Sequence, residues 1–186
     1  MSGTWISSMA GDPQPSSTLC PGCGLSLPAS GLSWDRKLFA SPECWQVYGE
    51  VAGFELAHPE LVGRFHQLTV DAYGAQHGGI DGRGIRIAYS LVGLHLALDR
   101  GWTGLEVRRA HQAMGRPQPS WPAFLRPTDV ATLTVLDVAL AGVRADAVAG
   151  HAAAVERWAV AVWAGWAQRH AEIAALAARL VERPRS

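Results

Sequence analysis

From Ser41 onward the chain alternates between apolar stripes at helical spacing and proline or glycine breaks. Ser41-Pro42-Glu43 has an N-cap serine followed by proline at the first helical position, which predicts a helix over Pro42 to Ala57. His58-Pro59 ends it, because a residue before proline is pushed out of the helical region. A second helix is expected from Pro59 to His77. Leu61, Phe65, Leu68 and Ala72 form one stripe on it, and Val62, His66, Val70, Tyr73 and His77 form another. Arg64, Gln67 and Asp71 hold its polar side, where Asp71 reads as a solvated or salt-bridged carboxylate, and Gly78-Gly79 stops the helix. The third helix covers Gly84 to Arg100. Between Leu91 and Leu98 it is apolar nearly all round except at His95, so it belongs near the centre.

Thr103-Gly104-Leu105-Glu106 has capping-box spacing and opens a helix to Met114. The segment from Gly115 to Thr128 holds four prolines and reads as a loop pinned by Trp121, Phe124 and Leu125. A short helix follows near Thr134, with Asp137 placed for a weak capping contact. One long alanine-rich helix is expected from Arg144 to Glu182. It carries Trp158, Trp163 and Trp166, which do not share one stripe. No strand alternation of useful length is seen. The expected fold is all-α, a helical bundle with a small zinc-binding N-terminal cap. Residues 1–18, rich in Ser, Pro and Gly, read as a disordered tail. Residues 19–183 form a single helical domain, of which 19–44 contribute a CxxC metal knuckle.

Composition narrows the setting. Of 186 residues, 48% are hydrophobic, enough to bury a core without staples. Lys plus Arg number 16 and Asp plus Glu number 16, so no general attraction to nucleic acid or to an anionic membrane is expected. No apolar run approaches the roughly 18 residues of a spanning helix. The N-terminal segment lacks a signal-peptide pattern and the cysteines are odd in number, so a reducing cytoplasm is the expected compartment.

The chemistry concentrates at Cys20-Pro21-Gly22-Cys23-Gly24. Two thiolates two residues apart can hold one zinc ion from a tight turn, and the glycines permit the backbone angles such a turn needs. Cys44 lies at a helix N-terminus, where the dipole favours a thiolate. Three thiolates need a fourth ligand: His58, His66, His77 or an outside molecule. If the first two helices form a hairpin turning at His58-Pro59, Cys44 lies level with residue 73, and His77 is about one turn beyond. His66 then sits near the height of Val51, roughly 10 Å from Cys44 along the axis. His77 is therefore the preferred fourth ligand over His66, with Tyr73 as its neighbour.

A second polar cluster is suggested by similar reasoning. A further hairpin around Gly78 to Gly82 would bring His95 level with His66, and His151 on the last helix could complete a three-histidine set. Asp71 and Tyr73 are the other candidate members. His111 and His170 read as surface positions.

Cys20-Pro21-Gly22-Cys23-Gly24, Ser41-Pro42-Glu43-Cys44-Trp45 with Tyr48-Gly49-Glu50, the segment His66 to Tyr73, and Gln76-His77 together resemble a bacterial family, the domain of unknown function family 5946. The likeness extends through Leu94-His95-Leu96, Leu133-Thr134-Val135 and the tryptophan-rich last helix. It lends no mechanism, but it implies that the cysteines, the Val70-Asp71-Ala72-Tyr73 segment and Gln76-His77 are distinguishing features. Gly78-Gly79 stands where the family pattern implies a proline. Three functions remain open on the sequence. One is a structural-zinc interaction module whose partner is another protein or a second copy, docking on an exposed apolar patch around the tryptophans. The second is a metal-dependent enzyme with a histidine-lined site in the bundle, and the third a thiol redox or metal sensor in which Cys20 and Cys23 are reversibly oxidised. No phosphate-binding glycine loop, dinucleotide fingerprint or serine-histidine-aspartate pattern is present in the sequence.

Overall fold

Seven helices and one two-stranded hairpin make up the described part of the chain, which in this computed structural model is residues 16–33, 39–78, 84–115, 121–125 and 132–181. The hairpin comes first. Strand β1 (Ser17–Leu19) pairs antiparallel with β2 (Ser26–Pro28), with Thr18 opposite Leu27. These strands are not foreseen in the sequence, because three residues are too few to display alternation. The tail expected over residues 1–18 lies outside the described residues as far as residue 15.

Helix α1 (Pro42–Ala57) starts where expected: the Ser41 hydroxyl accepts from the Cys44 backbone N–H, 3.1 Å away. After His58, helix α2 runs through Pro59–Leu61, a widened π-turn at Val62–His66, and Gln67–His77. It ends at His77, with Gly78 in an extended conformation at the cap. Helix α3 covers Gly84–Leu94 and continues through a second wide turn, His95–Asp99. Thr103 and Glu106 form the full capping box of α4 (Gly104–Met114). Thr134 and Asp137 form another at α5 (Val135–Ala141), more than the weak contact expected there.

The single long last helix is corrected by the structure. A 3-10 turn (Val143–Ala145) and a left-handed Asp146 precede α6 (Val148–Gly165), and a second 3-10 turn (Ala167–Arg169) separates it from α7 (His170–Val181). The break lets Trp166 turn inward and meet Phe124 edge-on at 6.4 Å, with both side chains buried. Alanine-rich sequence favours helix on both sides of the break, so propensity does not reveal it. In the preceding loop Phe124 is buried and Trp121 partly so, but Leu125 is exposed and pins nothing. The rest of that loop, 116–120 and 126–130, lies outside the described residues.

Helix α2 is the hub, packing against α1, α3, α4 and α6, while α5 closes over α1 and α6. The α2–α3 approach is close because small residues face it. A Cβ at Gly74 would strike the Ser90 hydroxyl, and one at Gly93 would strike the Asp71 carboxyl. All three tryptophans of the last two helical segments are in the core. Trp158 donates to Gln76 Oε1 and Trp163 to Asp99 Oδ1, each at 3.0 Å. These three tryptophans therefore form no exposed patch. No helix among the described residues is long and apolar enough to cross a membrane.

Candidate metal centre

The β1–β2 hairpin presents Cys20 and Cys23 at its turn. Cys20 N–H donates to the Leu25 carbonyl at 2.8 Å, and Gly24 N–H to the Cys20 carbonyl at 2.9 Å, with Gly24 at φ +75°. Glycine carries that angle without the steric cost a side chain would bring. Cys44 enters from the first turn of α1 and His77 from the last turn of α2. One ligand atom from each of Cys20, Cys23, Cys44 and His77 lies within 4.8 Å of all the others, and all four residues are buried.

Spacing and tautomer suit a cation. Cys23 Sγ and Cys44 Sγ are 3.8 Å apart, and Cys44 Sγ is 3.4 Å from His77 Nε2. A tetrahedral zinc site demands edges of about 3.8 Å between sulfurs and about 3.5 Å from sulfur to nitrogen. His77 Nδ1 donates to the Tyr73 carbonyl at 2.8 Å. In a neutral imidazole this leaves Nε2 as a lone pair aimed at the sulfurs, the form a metal ligand needs. Ser41 N–H donates to Cys20 Sγ at 3.4 Å, and the Tyr73 hydroxyl stands 3.6 Å from Cys44 Sγ. No Cβ fits at Gly22, because the His77 ring and the Phe39 carbonyl occupy its place.

Three desolvated sulfurs share one negative charge poorly. Hydrogen bonds from Cys23 and Cys44 hold the Cys20 thiol far below its ordinary value. The Cys20 sulfur in turn pushes Cys23 up to about 12, and pushes Cys44 up as well. A divalent cation would let all three ionise together. Around the cluster, four rings stack in series. Trp45 lies on Tyr48 at 5.0 Å, Tyr48 on Tyr73 at 4.2 Å, and Tyr73 on His77 at 3.9 Å. The loop is tied down by Glu43, whose Oε1 accepts from Ser30 N–H (2.8 Å) and Ser30 Oγ (2.7 Å). These bonds bring its carboxyl down to about 2.

The second cluster suggested by the sequence does not gather as one group. Tyr73 belongs to the cysteine end. His95 donates to Asp99 Oδ2 at 2.9 Å and packs near Trp163. His66 and His151 do meet, but on a residue that sequence reasoning missed, Glu55. His66 Nδ1 donates to its Oε2 at 2.8 Å, His151 Nε2 to its Oε1 at 2.9 Å, and Thr69 Oγ1 also donates to Oε1. Burial alone would push the Glu55 carboxyl up; the bonds from His151, His66 and Thr69 outweigh it and hold the group below its ordinary value. The signal was available: Cys44, Val47, Val51 and Glu55 share one stripe of α1, so Glu55 sits on a buried face. His58, the remaining candidate ligand, bonds the Phe54 carbonyl at 2.7 Å.

Asp71 is not solvated. It is 2% exposed and accepts from Gln67 Nε2 at 3.2 Å, while Arg64 of the same helix pairs with Glu156 instead. His111 is mostly buried as well and donates from Nε2 to the Tyr89 carbonyl at 3.0 Å. His170 stacks on Trp163 at 3.8 Å. Neither is the free surface position expected.

Residues 18–167 match the model of a family of unknown function, DUF5946, and the chain belongs to that family. No curated protein and no solved structure matches it significantly.

Proposed function

We propose that this protein is a zinc-stabilised helical interaction module, in which Cys20, Cys23, Cys44 and His77 hold one structural zinc ion. The observation that carries this reading is the convergence of four buried ligand atoms within 4.8 Å of one another, with the Cys23–Cys44 and Cys44–His77 separations matching the edges of a tetrahedral zinc site. Bound there, zinc would fasten the N-terminal knuckle to the facing ends of α1 and α2, and its four protein ligands would leave no position open for catalysis. On this reading residues 19–183 act as one domain with the knuckle as its cap. A site of reduced thiols belongs in a reducing compartment, the cytoplasm. Leu19, Leu32 and Trp45 stand exposed on or near the cap and support docking of a protein partner or a second copy at this end.

The histidines named for the enzyme alternative have separate carboxylate partners, His66 and His151 on Glu55 and His95 on Asp99, so the structural-zinc reading is preferred. The thiol-sensor alternative concerns reversible oxidation of Cys20 and Cys23; the Cys23 and Cys44 sulfurs are also 3.8 Å apart, so an oxidant could act on this pair as well once metal is gone. Elemental mass spectrometry on protein purified without chelator separates the readings. One zinc per chain, lost in Cys44→Ala and His77→Ala, supports the structural centre. Metal-free protein with an oxidised cysteine pair would favour the sensor.

A further inference from the structure

A cavity of about 540 Å³ opens between α1, α2, α3 and α4, bordered at one side by His77. That size lies in the range of small-molecule sites. Its wall is mainly apolar and aromatic, with Trp45 and Tyr48 from α1, Tyr73 from α2 and Tyr89 from α3. Asp71 is the one acid among the described residues that line it, and the exposed Arg86 is the one arginine or lysine.

We propose that this cavity binds a small organic amine, held as its ammonium between the Asp71 carboxylate and the surrounding tyrosine and tryptophan rings. The reading does not depend on the identity of the metal. Among the described residues Asp71 has a single hydrogen-bond donor. Gln67 Nε2 supplies one hydrogen bond at 3.2 Å, whereas a carboxylate has about four lone-pair sites. The same Gln67 nitrogen lies 3.3 Å from His111 Nδ1, so the amide bridges acid and imidazole and fixes both. His111 cannot serve as counter-ion. It stands 4.0 Å from Asp71, and burial lowers its pKa, which keeps it neutral. Gly93 clears the space the carboxyl occupies, since any Cβ there would overlap it.

A desolvated acid costs the fold more than an apolar residue of the same size, so its presence in an aromatic cavity points to use. The use that fits is donor recognition. An ammonium gives the carboxylate its missing hydrogen bonds, while ring faces attract the same charge. An anionic ligand would meet Asp71 with like charge, and a purely apolar one would leave it unanswered. Burial also raises the Asp71 pKa well above its ordinary value, and an ammonium beside the carboxyl would favour its charged form.

The test is a ¹H–¹⁵N NMR titration of the full metal-loaded chain with 2-phenylethylamine, against 2-phenylethanol and phenylacetate. The expected result is shifts at the Gly74, Tyr89 and Ser90 amides, with the amine bound at least about tenfold tighter than either control. Asp71→Asn should erase that preference while keeping the weak binding of the alcohol. Ile85→Trp, at an exposed lining position away from the acid, should weaken amine and alcohol together, and it keeps the test alive if Asp71→Asn does not fold. Equal affinity for amine and alcohol, shifts confined to other residues, or no shift at millimolar amine would overturn the proposal.

Discussion

The two ends of the α1–α2 hairpin carry two buried polar clusters built on opposite principles. At one end, Cys44 and His77 join the knuckle cysteines; at the other, Glu55 meets His66, and His151 reaches in from α6. Both histidines of α2 are fixed through Nδ1, but to different acceptors. His77 gives its Nδ1–H to a backbone carbonyl and turns a bare Nε2 toward sulfur, whereas His66 gives its Nδ1–H to a carboxylate. At the Glu55 end two imidazole N–H groups and one hydroxyl satisfy one carboxylate within the chain, while the other nitrogen of His151 is buried without a hydrogen-bond partner among the described residues. The cysteine end gathers three thiols and one imidazole nitrogen, and on the proposed reading it is completed by a cation from outside. A histidine on a buried helix face is thus assigned by what its other nitrogen does, more than by its spacing.

Breaking the cysteine end should have the largest effect. Cys44→Ala should lose the metal and lower Tm by about 10 °C or more, read by elemental analysis and thermal unfolding. Breaking the other end should cost stability and spare the metal. Glu55→Gln keeps one acceptor oxygen but turns an amide NH2 toward the other imidazole N–H, so a loss of about 3 kcal/mol in urea unfolding at neutral pH is expected, with metal stoichiometry unchanged. Because the Glu55 pKa is depressed in the fold, its contribution is present above its unfolded value and fades as pH falls through the folded one. The gap between wild type and Glu55→Gln should therefore narrow in acid. Gly22→Ala, which pushes a methyl into the His77 ring, should cost about 1–3 kcal/mol and weaken metal retention.

Asp71 sharpens the contrast with the opposite sign. Its pKa is raised by burial, with only Gln67, a neutral His111 and the rim Arg86 to answer it. The folded state then binds the proton more tightly than the unfolded one, and stability falls as pH rises above the unfolded value of about 3.9. Asp71→Asn should be more stable than wild type at pH 7 and lose that advantage toward pH 4, the smallest of the four effects. Urea titrations at the two pH values measure it.

Much of the fold is legible along the chain because its punctuation is chemical. Ser41-Pro42, His58-Pro59 and Thr103 to Glu106 mark helix ends by local rules, and the structure places the ends there. The pairing of Cys44 with His77 follows from rise per residue in a hairpin, a one-dimensional argument that tolerates the π-turn at Val62–His66 because that turn lies at the far end of α2. What was not legible depends on tertiary cover. Gln67 and Asp71 form a polar stripe that would be solvated on an isolated helix; α3 and α4 bury it, and only Gly93 hints at the room made. Glu55 looks like any surface glutamate until its stripe is counted with Cys44, Val47 and Val51. The break after Gly165 is set by the burial of Trp166 against Phe124, a contact between segments far apart in the chain.

The central claim is the coordination of the metal, and X-ray absorption at the zinc edge of the purified full chain reads it directly. The account predicts three sulfurs at about 2.3 Å and one imidazole nitrogen at about 2.0 Å, with the nitrogen shell lost or replaced by water in His77→Ala. An absence of zinc in the purified protein, or a shell with fewer sulfurs and a histidine that survives His77→Ala, would contradict it.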